Sequence, residues 1–393
     1  MKILIHADEY YPTCAACAYR MKAFAEVFAS KGNEVTVIAS SSNKANGTVG
    51  ECSERIIFAP TVKMKKKTTV MRMINNLSFA ASSVFAAMKA GKADVVITTS
   101  PPPLVSVSGW LIAKMKRAKL VYDVRDIWPD VALEMGSFSE SSFFCKVFRK
   151  ITDFMYKRAD TVTTVSPGKV EKIKQKLPED MREKVVLVAN GFDEKILESE
   201  YDSRTVEKYK LKDGFTCVYI GNIGLAQGLG AVFEIAEKTK HKDVRFLLFG
   251  TGAEKEALEK QAAEKGLSNV SFCGVIPHEK VFTLLKEASL SFIPLKSSKM
   301  KDSVPTKIYE ALGVGCPVLL VAEGDSCDIV NATGMGVCVS PDETEKLTAV
   351  FDSMVENYAE IIKKRTETTE IIKKKYSRQQ AAAEFENKLR QLV

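Results

Sequence analysis

The stretch "YIGNIGLAQGLGAVFEIAEK", residues 219–238, has the pattern of a strand followed by a helix. An apolar run ends at Gly221, a glycine-rich turn follows, and apolar residues then recur at helical spacing. We predict that the helix starts between Leu225 and Gly228. A strand joined to a helix by a short glycine-rich turn is the repeating unit of a doubly wound α/β fold.

The same alternation of apolar runs with helical patterns extends over most of the chain. The first half contains "KILIHA", "EVTVIAS", "RIIFAP", "DVVITTS", "KLVYDVRD", "TVTTVS" and "VVLVAN". The second half contains "FTCVYIGN", "RFLLFGTG", "NVSFCGVI", "LSFIPL", "CPVLLVA" and "GVCVSP". Continuous apolar runs are typical of parallel strands that helices cover on both faces. Because these strands are too many for one such sheet, we predict two tandem Rossmann-like doubly wound parallel-sheet domains with a ligand cleft between them.

The expected boundaries follow from the polar stretch between the two series of strands. Residues 1–195 form the N-terminal domain, and residues 196–374 form a C-terminal domain that binds the ligand. Residues 375–393 form a helix in which Phe385 and Leu389 lie on one face. We expect this helix to pack back toward the N-terminal domain.

Cysteine and histidine usage limits the classes of site. The nine cysteines are an odd number, scattered mainly in apolar runs, as in a reduced cytoplasmic protein. The three histidines are far apart in sequence, which gives little support to a structural zinc site. No export signal is recognised. The uncharged run 95–113 contains three prolines and the run 73–88 is too short, so no membrane span is expected.

Positive charge is concentrated in the first half of the chain. Residues 1–190 carry 29 lysines and arginines against 18 acidic residues, whereas the remainder carries 28 against 31. The basic stretch "KMKKKTTVMRM", residues 63–73, leads into an apolar segment. This arrangement suits either a solvated face or a peripheral contact with an anionic membrane. Nucleic acid is not expected, because no aromatic-rich basic motif accompanies the charge.

Two motifs of the second half are suited to phosphate and ribose. Gly221, Gly224 and Gly228 form a turn whose amides bind phosphate or simply allow a tight turn. In "KMKDSVPTKIYEALGVGCPVLLVA", residues 299–322, a helix begins near Pro305 and carries Lys307 and Glu310 on its first turns. These two side chains either bind a diphosphate and a ribose or are an ordinary solvated pair.

Two motifs of the first half contain reactive side chains. In "KLVYDVRDIWPDVALEMG", residues 119–136, charges of both signs leave an apolar strand, which indicates either an ion-pair network or a site. No D-x-D motif occurs in the chain, so no divalent metal is expected to hold a diphosphate. Cys14 and Cys17 form a C-x-x-C at the start of a predicted helix, where a thiol pKa is lowered in redox enzymes.

The stretch "PTKIYEALGVGCPVLL" resembles the signature of retaining glycosyltransferases of family four, which have the GT-B fold. With "YIGNIGLAQGL", "SPPPLVSVSGWLIA", "VYDVRDIWPD" and "ANGFD", it is similar to the bacterial N-acetyl-fucosamine transferase type, which builds surface polysaccharides such as capsule or O-antigen. The matches run in order from residue 3 to about residue 340.

The resemblance implies a donor site in the C-terminal domain. Glu310 is the second acid of the family's E-x7-E pattern and would bind the ribose, while Asp302, in place of the first glutamate, would lie near the donor sugar. Asn222 and Gln227 stand where the wider family has an arginine and a lysine, so phosphate binding passes to Lys307 and the glycine-rich amides. The backbone of Val275 would pair with uracil. The implied donor-binding residues are Ala15, Gly221, Asn222, Gly224, Gln227, Gly228, Gly250, Gly252, Val275, Asp302, Pro305, Thr306, Lys307 and Glu310.

The resemblance also implies catalytic and acceptor-side residues. Arg125 falls at the position of the family's catalytic-loop histidine, with Asp126 beside it. "YYPTCAACAYR" is similar to the subgroup's first β–α turn, in which small residues such as Ala15 admit the donor and no thiol is required. The implied catalytic residues are Arg125, Asp126, Lys307 and Glu310. The implied acceptor-side residues are Arg20, Pro102, Asp123 and Trp128.

The expected function is therefore a retaining, metal-independent transfer of a sugar from a UDP-sugar, without a further cofactor. The sugar is expected to be an N-acetylated hexose derivative, and the acceptor a sugar linked to polyprenyl diphosphate at the cytoplasmic face of the membrane. Three alternatives stay open. They are a UDP-sugar epimerase of GT-B architecture, a non-catalytic sugar-nucleotide-binding protein at the membrane, and a redox role for the C-x-x-C loop.

Overall fold

The computed structural model describes residues 1–47, 50–64, 69–136 and 139–393. The chain divides into two compact units, of which the first comprises Met1–Asn190 with Arg378–Val393 and the second comprises Gly191–Ser377. Lys65, Lys66 and Lys67, part of the predicted basic stretch, lie outside the described residues. Among the described residues, no helix is both long enough and apolar enough to cross a bilayer.

The first unit is built on a seven-stranded parallel sheet in the order β3-β2-β1-β4-β5-β6-β7. Its strands are β1 (Lys2–Ala7), β2 (Glu34–Ser40), β3 (Arg55–Ala59), β4 (Val95–Ser100), β5 (Lys119–Val124), β6 (Thr161–Thr164) and β7 (Val185–Leu187). The order reverses between β1 and β4, and such a switch point is where ligands of doubly wound sheets bind.

Helices cover both faces of this sheet. They are α1 (Ala16–Ser30), α2 (Thr69–Met88), α3 (Pro103–Lys116), α4 (Asp130–Glu134), α5 (Phe143–Arg158), α6 (Pro167–Gln175) and, at the chain end, α16 (Arg378–Leu392). Helices α1 and α16 share one apolar core, in which Phe385 lies 5.4 Å from Phe24 between ring centroids. Helices α2, α3, α5 and α6 contribute to the core on the other face.

The second unit has a six-stranded parallel sheet in the order β10-β9-β8-β11-β12-β13. Its strands are β8 (Thr216–Ile220), β9 (Arg245–Phe249), β10 (Val270–Gly274), β11 (Leu290–Pro294), β12 (Val318–Val321) and β13 (Gly336–Val339). Its helices are α7 (Ser203–Tyr209), α8 (Ala231–Lys238), α9 (Lys255–Glu264), α10 (Val281–Glu287), α11 (Thr306–Val314), α12 (Asp325–Thr333), α13 (Leu347–Glu356), α14 (Tyr358–Ile362) and α15 (Arg365–Tyr376). The predicted fold class, two doubly wound parallel sheets, is confirmed.

Several predicted boundaries differ from the structure. The second unit ends at Ser377 rather than at residue 374, and the C-terminal helix begins at Arg378 rather than at residue 375. The second unit begins at Gly191 rather than at residue 196, because Phe192 packs in its core and donates a backbone hydrogen bond of 2.6 Å to Tyr376. Helix α8 begins at Ala231, later than predicted. Gly228 has a left-handed φ of +58°, which ends the short turn before it and delays the helix.

Candidate donor site

Glycines let the ends of β8 and β9 approach closely at the carboxyl edge of the second sheet. A Cβ atom on Gly250 would lie 1.8 Å from the carbonyl oxygen of Gly221, and one on Gly252 would lie 2.1 Å from that of Ile223. Gly250 also has a φ of +146°, which side chains rarely adopt. The amide of Gly250 donates to the Gly274 carbonyl at 2.7 Å, so the loops after β8, β9 and β10 form one layer.

Lys307 joins this layer from the first turn of α11. The helix follows Pro305, as predicted, since proline suits a helix start. The Nζ atom of Lys307 donates a hydrogen bond of 3.2 Å to Oε1 of Gln227 and lies 4.0 Å from the centroid of the Tyr219 ring. A Cβ atom on Gly221 would lie 2.9 Å from the same Nζ. The structure therefore brings together Gly221, Gln227 and Lys307.

The Glu310 carboxylate lies one turn further along α11. It makes no hydrogen bond or ion pair with any other described residue. A partly exposed carboxylate without a protein partner is free to accept hydrogen bonds from a ligand, and the two hydroxyls of a ribose suit its two oxygens.

The other predicted donor residues lie on the loops around this pair. Asp302 is only 6% exposed, so a contact with a sugar would need its loop to open. The loop is tied down, because the Asp325 amide donates to the Lys301 carbonyl at 2.9 Å. Val275 follows β10 and is 70% exposed. Asn222, Gly224 and Gly228 belong to the loop after β8, whereas Pro305 immediately precedes α11 and Thr306 is its first residue.

In the first unit, Arg20 and Asp123 form a buried ion pair, with side chains 1% and 0% exposed. Two guanidinium nitrogens donate to the Asp123 oxygens at 2.8 and 3.2 Å, and the hydroxyls of Thr99 and Thr163 donate at 3.0 and 2.7 Å. Burial alone would raise the pKa of Asp123, but Arg20 and Thr163 outweigh it and hold that pKa below its ordinary value. The carboxylate is fully used within the protein. This geometry makes the pair an ion-pair network, and it leaves neither side chain exposed for direct contact with an acceptor.

Arg125 leaves the same strand and lies against the loop after β4. Its Nε donates to Thr99 Oγ1 at 3.1 Å, and its Nη2 donates to the Pro101 carbonyl at 2.6 Å. Trp128 stands edge-on to Phe148, with 5.5 Å between ring centroids.

The remaining predicted residues of the first unit lie at or beside helix starts. Pro102 and Ala15 precede the first turns of α3 and α1, and Asp126 is partly exposed beside Arg125. The carboxyl ends of β1, β4 and β5 thus carry these residues at one edge of the sheet.

In the C-x-x-C loop, Cys17 does not have the features of a redox nucleophile. Cys14 is exposed, whereas Cys17 is buried in the core with α1. Burial raises the pKa of the Cys17 thiol to about 12, so it stays protonated at neutral pH. A redox nucleophile needs the opposite shift.

Two residues with perturbed chemistry were not predicted from the sequence. Tyr219 was counted as part of an apolar strand, although its place two residues before Gly221 is a signal of proximity to the turn. Asp8 directly follows β1, and burial, followed by the charge of Glu9, raises its pKa to about 7. Its buried Oδ1 atom has no hydrogen-bond partner within the part of the chain that the structure describes.

Two tandem doubly wound parallel sheets are the architecture of the GT-B fold class. Comparison with known families agrees. Residues 202–375 match the model of "Glycosyl transferases group 1", and residues 17–191 match that of "Glycosyl transferase 4-like domain". Together the two matches place the chain in the group 1 family of glycosyltransferases, GT4-like.

Individual relatives give the same picture. The chain is 26% identical over 374 residues to the putative colanic acid biosynthesis glycosyl transferase WcaI of Escherichia coli K12, covering 89% of this chain and 91% of that protein. Its fold is similar to that of sucrose-phosphate synthase from Thermosynechococcus elongatus, with a TM-score of 0.80 at 16% identity, covering 100% and 99% of the two chains. It is also similar to Anabaena HepE in complex with UDP and glucose, with a TM-score of 0.76 at 17% identity over the whole of both chains.

Proposed function

We propose that the protein is a retaining glycosyltransferase that transfers a sugar from a UDP-sugar to a lipid-linked acceptor in bacterial surface polysaccharide biosynthesis. The observation that carries this proposal is the pair on α11. Glu310 offers a carboxylate with no hydrogen-bond or ion-pair partner among the described residues, and the Nζ atom of Lys307 lies beside the glycine turn at Gly221. A ribose and a diphosphate are the two neighbouring groups of a nucleotide sugar that fit such a pair.

The relatives support the substrate class. The name of WcaI assigns that protein to colanic acid biosynthesis, and HepE was crystallised with UDP and glucose. The sugar transferred here is proposed to be an N-acetylated hexose derivative, and the acceptor a sugar on polyprenyl diphosphate.

Sugar transfer requires the protein to stabilise the diphosphate as it leaves the donor sugar. As the bond from the anomeric carbon to the phosphate oxygen breaks, charge grows on that oxygen, and Lys307 with the glycine-rich amides stabilises it. Glu310 holds the ribose and so fixes the position of the diphosphate. In a retaining transfer the acceptor hydroxyl attacks from the face that the diphosphate leaves, its proton passes to the departing phosphate oxygen, and no enzyme nucleophile is needed. Arg125 and Asp126 are proposed to act on the acceptor side, and no metal is assigned a step.

A donor screen tests this proposal. The purified protein is incubated with UDP- and GDP-sugars and membrane extract, and lipid-linked products are identified by mass. We expect transfer from a UDP-sugar, an α-linked product from an α-linked donor by NMR, and unchanged rates with a chelator. A new UDP-sugar formed without acceptor would favour the epimerase, and nucleotide binding without any transfer would favour the non-catalytic protein.

Helix α2 gives a physical reason for a membrane contact, which we propose as part of this function. Five apolar side chains on its outer face are between 41% and 67% exposed, while Phe79 on its inner face is buried. Their spacing of three, four or eight residues puts them on one stripe of the helix. The stripe consists of Val70, Ile74, Leu77, Phe85 and Met88.

The neighbouring helices extend this surface. Helix α3 adds exposed Leu111 and Met115, and α5 adds exposed Phe143. Exposed cations accompany the apolar side chains, and no acidic residue occurs between Arg55 and Ala93. They include Lys63, Arg72, Lys89, Lys92, Lys114 and Lys146. Apolar side chains beside cations fit the boundary of an anionic bilayer, which we propose as the partner, at the inner face of the cell membrane.

Vesicle sedimentation tests the contact. Leu77→Ser with Phe85→Ser removes two apolar side chains that would each contribute up to about 1.5–3 kcal/mol on full burial, so binding to vesicles containing phosphatidylglycerol should fall at least about tenfold. Leu187→Ser, at an exposed leucine on β7, is the matched control and should bind like the wild type. Equal binding of the double variant and the wild type would show that α2 does not contact the bilayer.

A further inference from the structure

The ammonium of Lys307 has uncharged contact partners. Its hydrogen-bond acceptor is the amide oxygen of Gln227 at 3.2 Å, and the face of the Tyr219 ring lies 4.0 Å away. Among the described residues, no carboxylate makes an ion pair with it. A buried or partly buried lysine usually has an anionic partner, because burial disfavours its charged form. This lysine lacks one in the absence of a ligand.

Tyr219 connects this lysine to the glycine-rich turn. The side chain is fully buried, and its hydroxyl donates to the carbonyl of Asn222 and lies 3.3 Å from Oε1 of Gln227. One aromatic side chain therefore supports the ammonium with its ring face and holds the turn with its hydroxyl. The ring face attracts a cation without neutralising it.

We propose that Tyr219 and Gln227 are positioning residues that form an uncharged seat for Lys307, and that the site takes up a proton when a nucleoside diphosphate binds. This inference rests on the proposed function, because it concerns the same donor site. The proton comes from solvent and converts the neutral amine of Lys307 into the ammonium that faces the diphosphate.

The charges around Lys307 support this coupling. Burial lowers its pKa to about 7, and Glu310 on the same helix opposes the shift. Tyr219 from β8 is neutral, since burial raises its own pKa, and Gln227 from the turn carries no charge. No charged group among the described residues makes a hydrogen bond or an ion pair with Lys307. A bound diphosphate would supply the missing anion and raise the pKa of Lys307, so that the amine becomes protonated.

Calorimetry of UDP binding measures the proton directly. Titrations at pH 7.0 and pH 8.5, each in two buffers of different ionisation enthalpy, should show uptake rising from about half a proton to about one proton. The affinity should fall about tenfold over the same interval. Lys307→Arg keeps its charge at both pH values, so it should show neither effect, and it corrects for the titration of UDP itself.

Variants of Gln227 and Tyr219 test whether these residues position Lys307 or have only a structural role. Gln227→Glu gives Lys307 an anion in the free protein, so the lysine should already be protonated and the uptake at pH 8.5 should disappear. Tyr219→Phe keeps the ring and should keep the uptake. Tyr219→Leu removes the ring face and should weaken UDP binding more than Tyr219→Phe does. Tyr201→Leu, at an exposed tyrosine of the same unit, is the matched control.

The outcomes distinguish this inference from the proposed function. Two results would contradict the proposed role of Tyr219 and Gln227 without contradicting the proposed donor site. They are UDP binding without proton uptake at pH 8.5, and equal uptake in Gln227→Glu and the wild type. No binding of UDP or GDP by the wild type would remove both. If Tyr219→Leu does not fold, the comparison of Gln227→Glu, Lys307→Arg and the wild type still decides.

Discussion

The two units treat a partly or fully buried cation in opposite ways. Arg20 in the first unit is paired with Asp123, and both side chains have their hydrogen bonds satisfied. Lys307 in the second unit has an amide and a ring as neighbours, and Glu310 on the same helix makes no hydrogen bond or ion pair with any residue that the structure describes. A satisfied pair holds a structure together, whereas charges without protein partners at the edge of a sheet are available to bind a ligand. Arg20 and Lys307 differ in their roles because they differ in their partners, although both are cationic side chains.

Breaking the satisfied pair should have the largest effect on stability. Asp123→Ala leaves Arg20 buried without its anion, which costs about 3–5 kcal/mol of unfolding free energy. Both tryptophans, Trp110 and Trp128, lie in the first unit, so urea unfolding followed by fluorescence reports on that unit.

The matched control for this prediction removes both charges. Arg20→Met with Asp123→Leu should regain much of the lost stability, because no unpaired charge remains. An unchanged urea midpoint in Asp123→Ala would show that the pair does not stabilise the unit.

Removing the unpaired cation should affect activity instead of stability. Lys307→Met should lower kcat by about 10²–10³-fold, the effect of losing one preorganised donor to a developing anion. Its stability should equal or exceed that of the wild type, most clearly below pH 7. Below pH 7 the wild-type lysine is charged in both the folded and the unfolded protein, so the folded protein carries the full cost of burying the charge. Above about pH 7 the lysine of the folded protein loses its proton, and this cost declines as the pH rises.

Scanning calorimetry and initial rates of transfer test the two parts separately. A Lys307→Met protein that melts several degrees lower than the wild type would mean that the lysine has a structural role like that of Arg20.

Glu310 should have a smaller effect, confined to the donor. Glu310→Ala removes a hydrogen bond to a charged group worth about 1.5–3 kcal/mol, so UDP affinity should fall roughly 10- to 150-fold. Glu310→Gln keeps one acceptor oxygen and should lose less. Titration calorimetry with UDP measures both variants, and equal affinity of a folded Glu310→Ala and the wild type would remove Glu310 from the ribose site.

The difference between Arg20 and Lys307 also shows which features could be predicted from the sequence. Apolar runs and glycine turns are local features, so the two parallel sheets and the start of α11 at Pro305 were predictable. The fate of a charge depends on distant partners. Arg20 and Asp123 are 103 residues apart, and 80 residues separate Lys307 from Gln227. The sequence therefore left the charges of residues 119–136 open between a network and a site.

Local strain and burial limited the remaining predictions. The start of α8 depends on the left-handed conformation of Gly228, where a Cβ would lie 2.9 Å from the Lys296 backbone, a contact invisible in the sequence. The contact of Tyr219 with Lys307 was not predicted, because a tyrosine in an apolar strand is usually a core residue. The contact is seen only when α11 is placed beside β8.

The smallest effect is expected at the C-x-x-C loop of the first unit. Cys14 is exposed, and the thiol of Cys17 is protonated, with its pKa raised by burial to about 12. Cys14→Ser with Cys17→Ala should therefore keep transfer within a few-fold of the wild type, with or without reductant. The loss of one buried sulfur should cost about 1 kcal/mol of stability, as a small cavity does. Cys217→Ala, at an equally buried cysteine in the second unit, controls for that loss. Transfer that is abolished in the double variant but normal in Cys217→Ala, and that follows the thiol–disulfide potential in the wild type, would restore the redox interpretation of the loop.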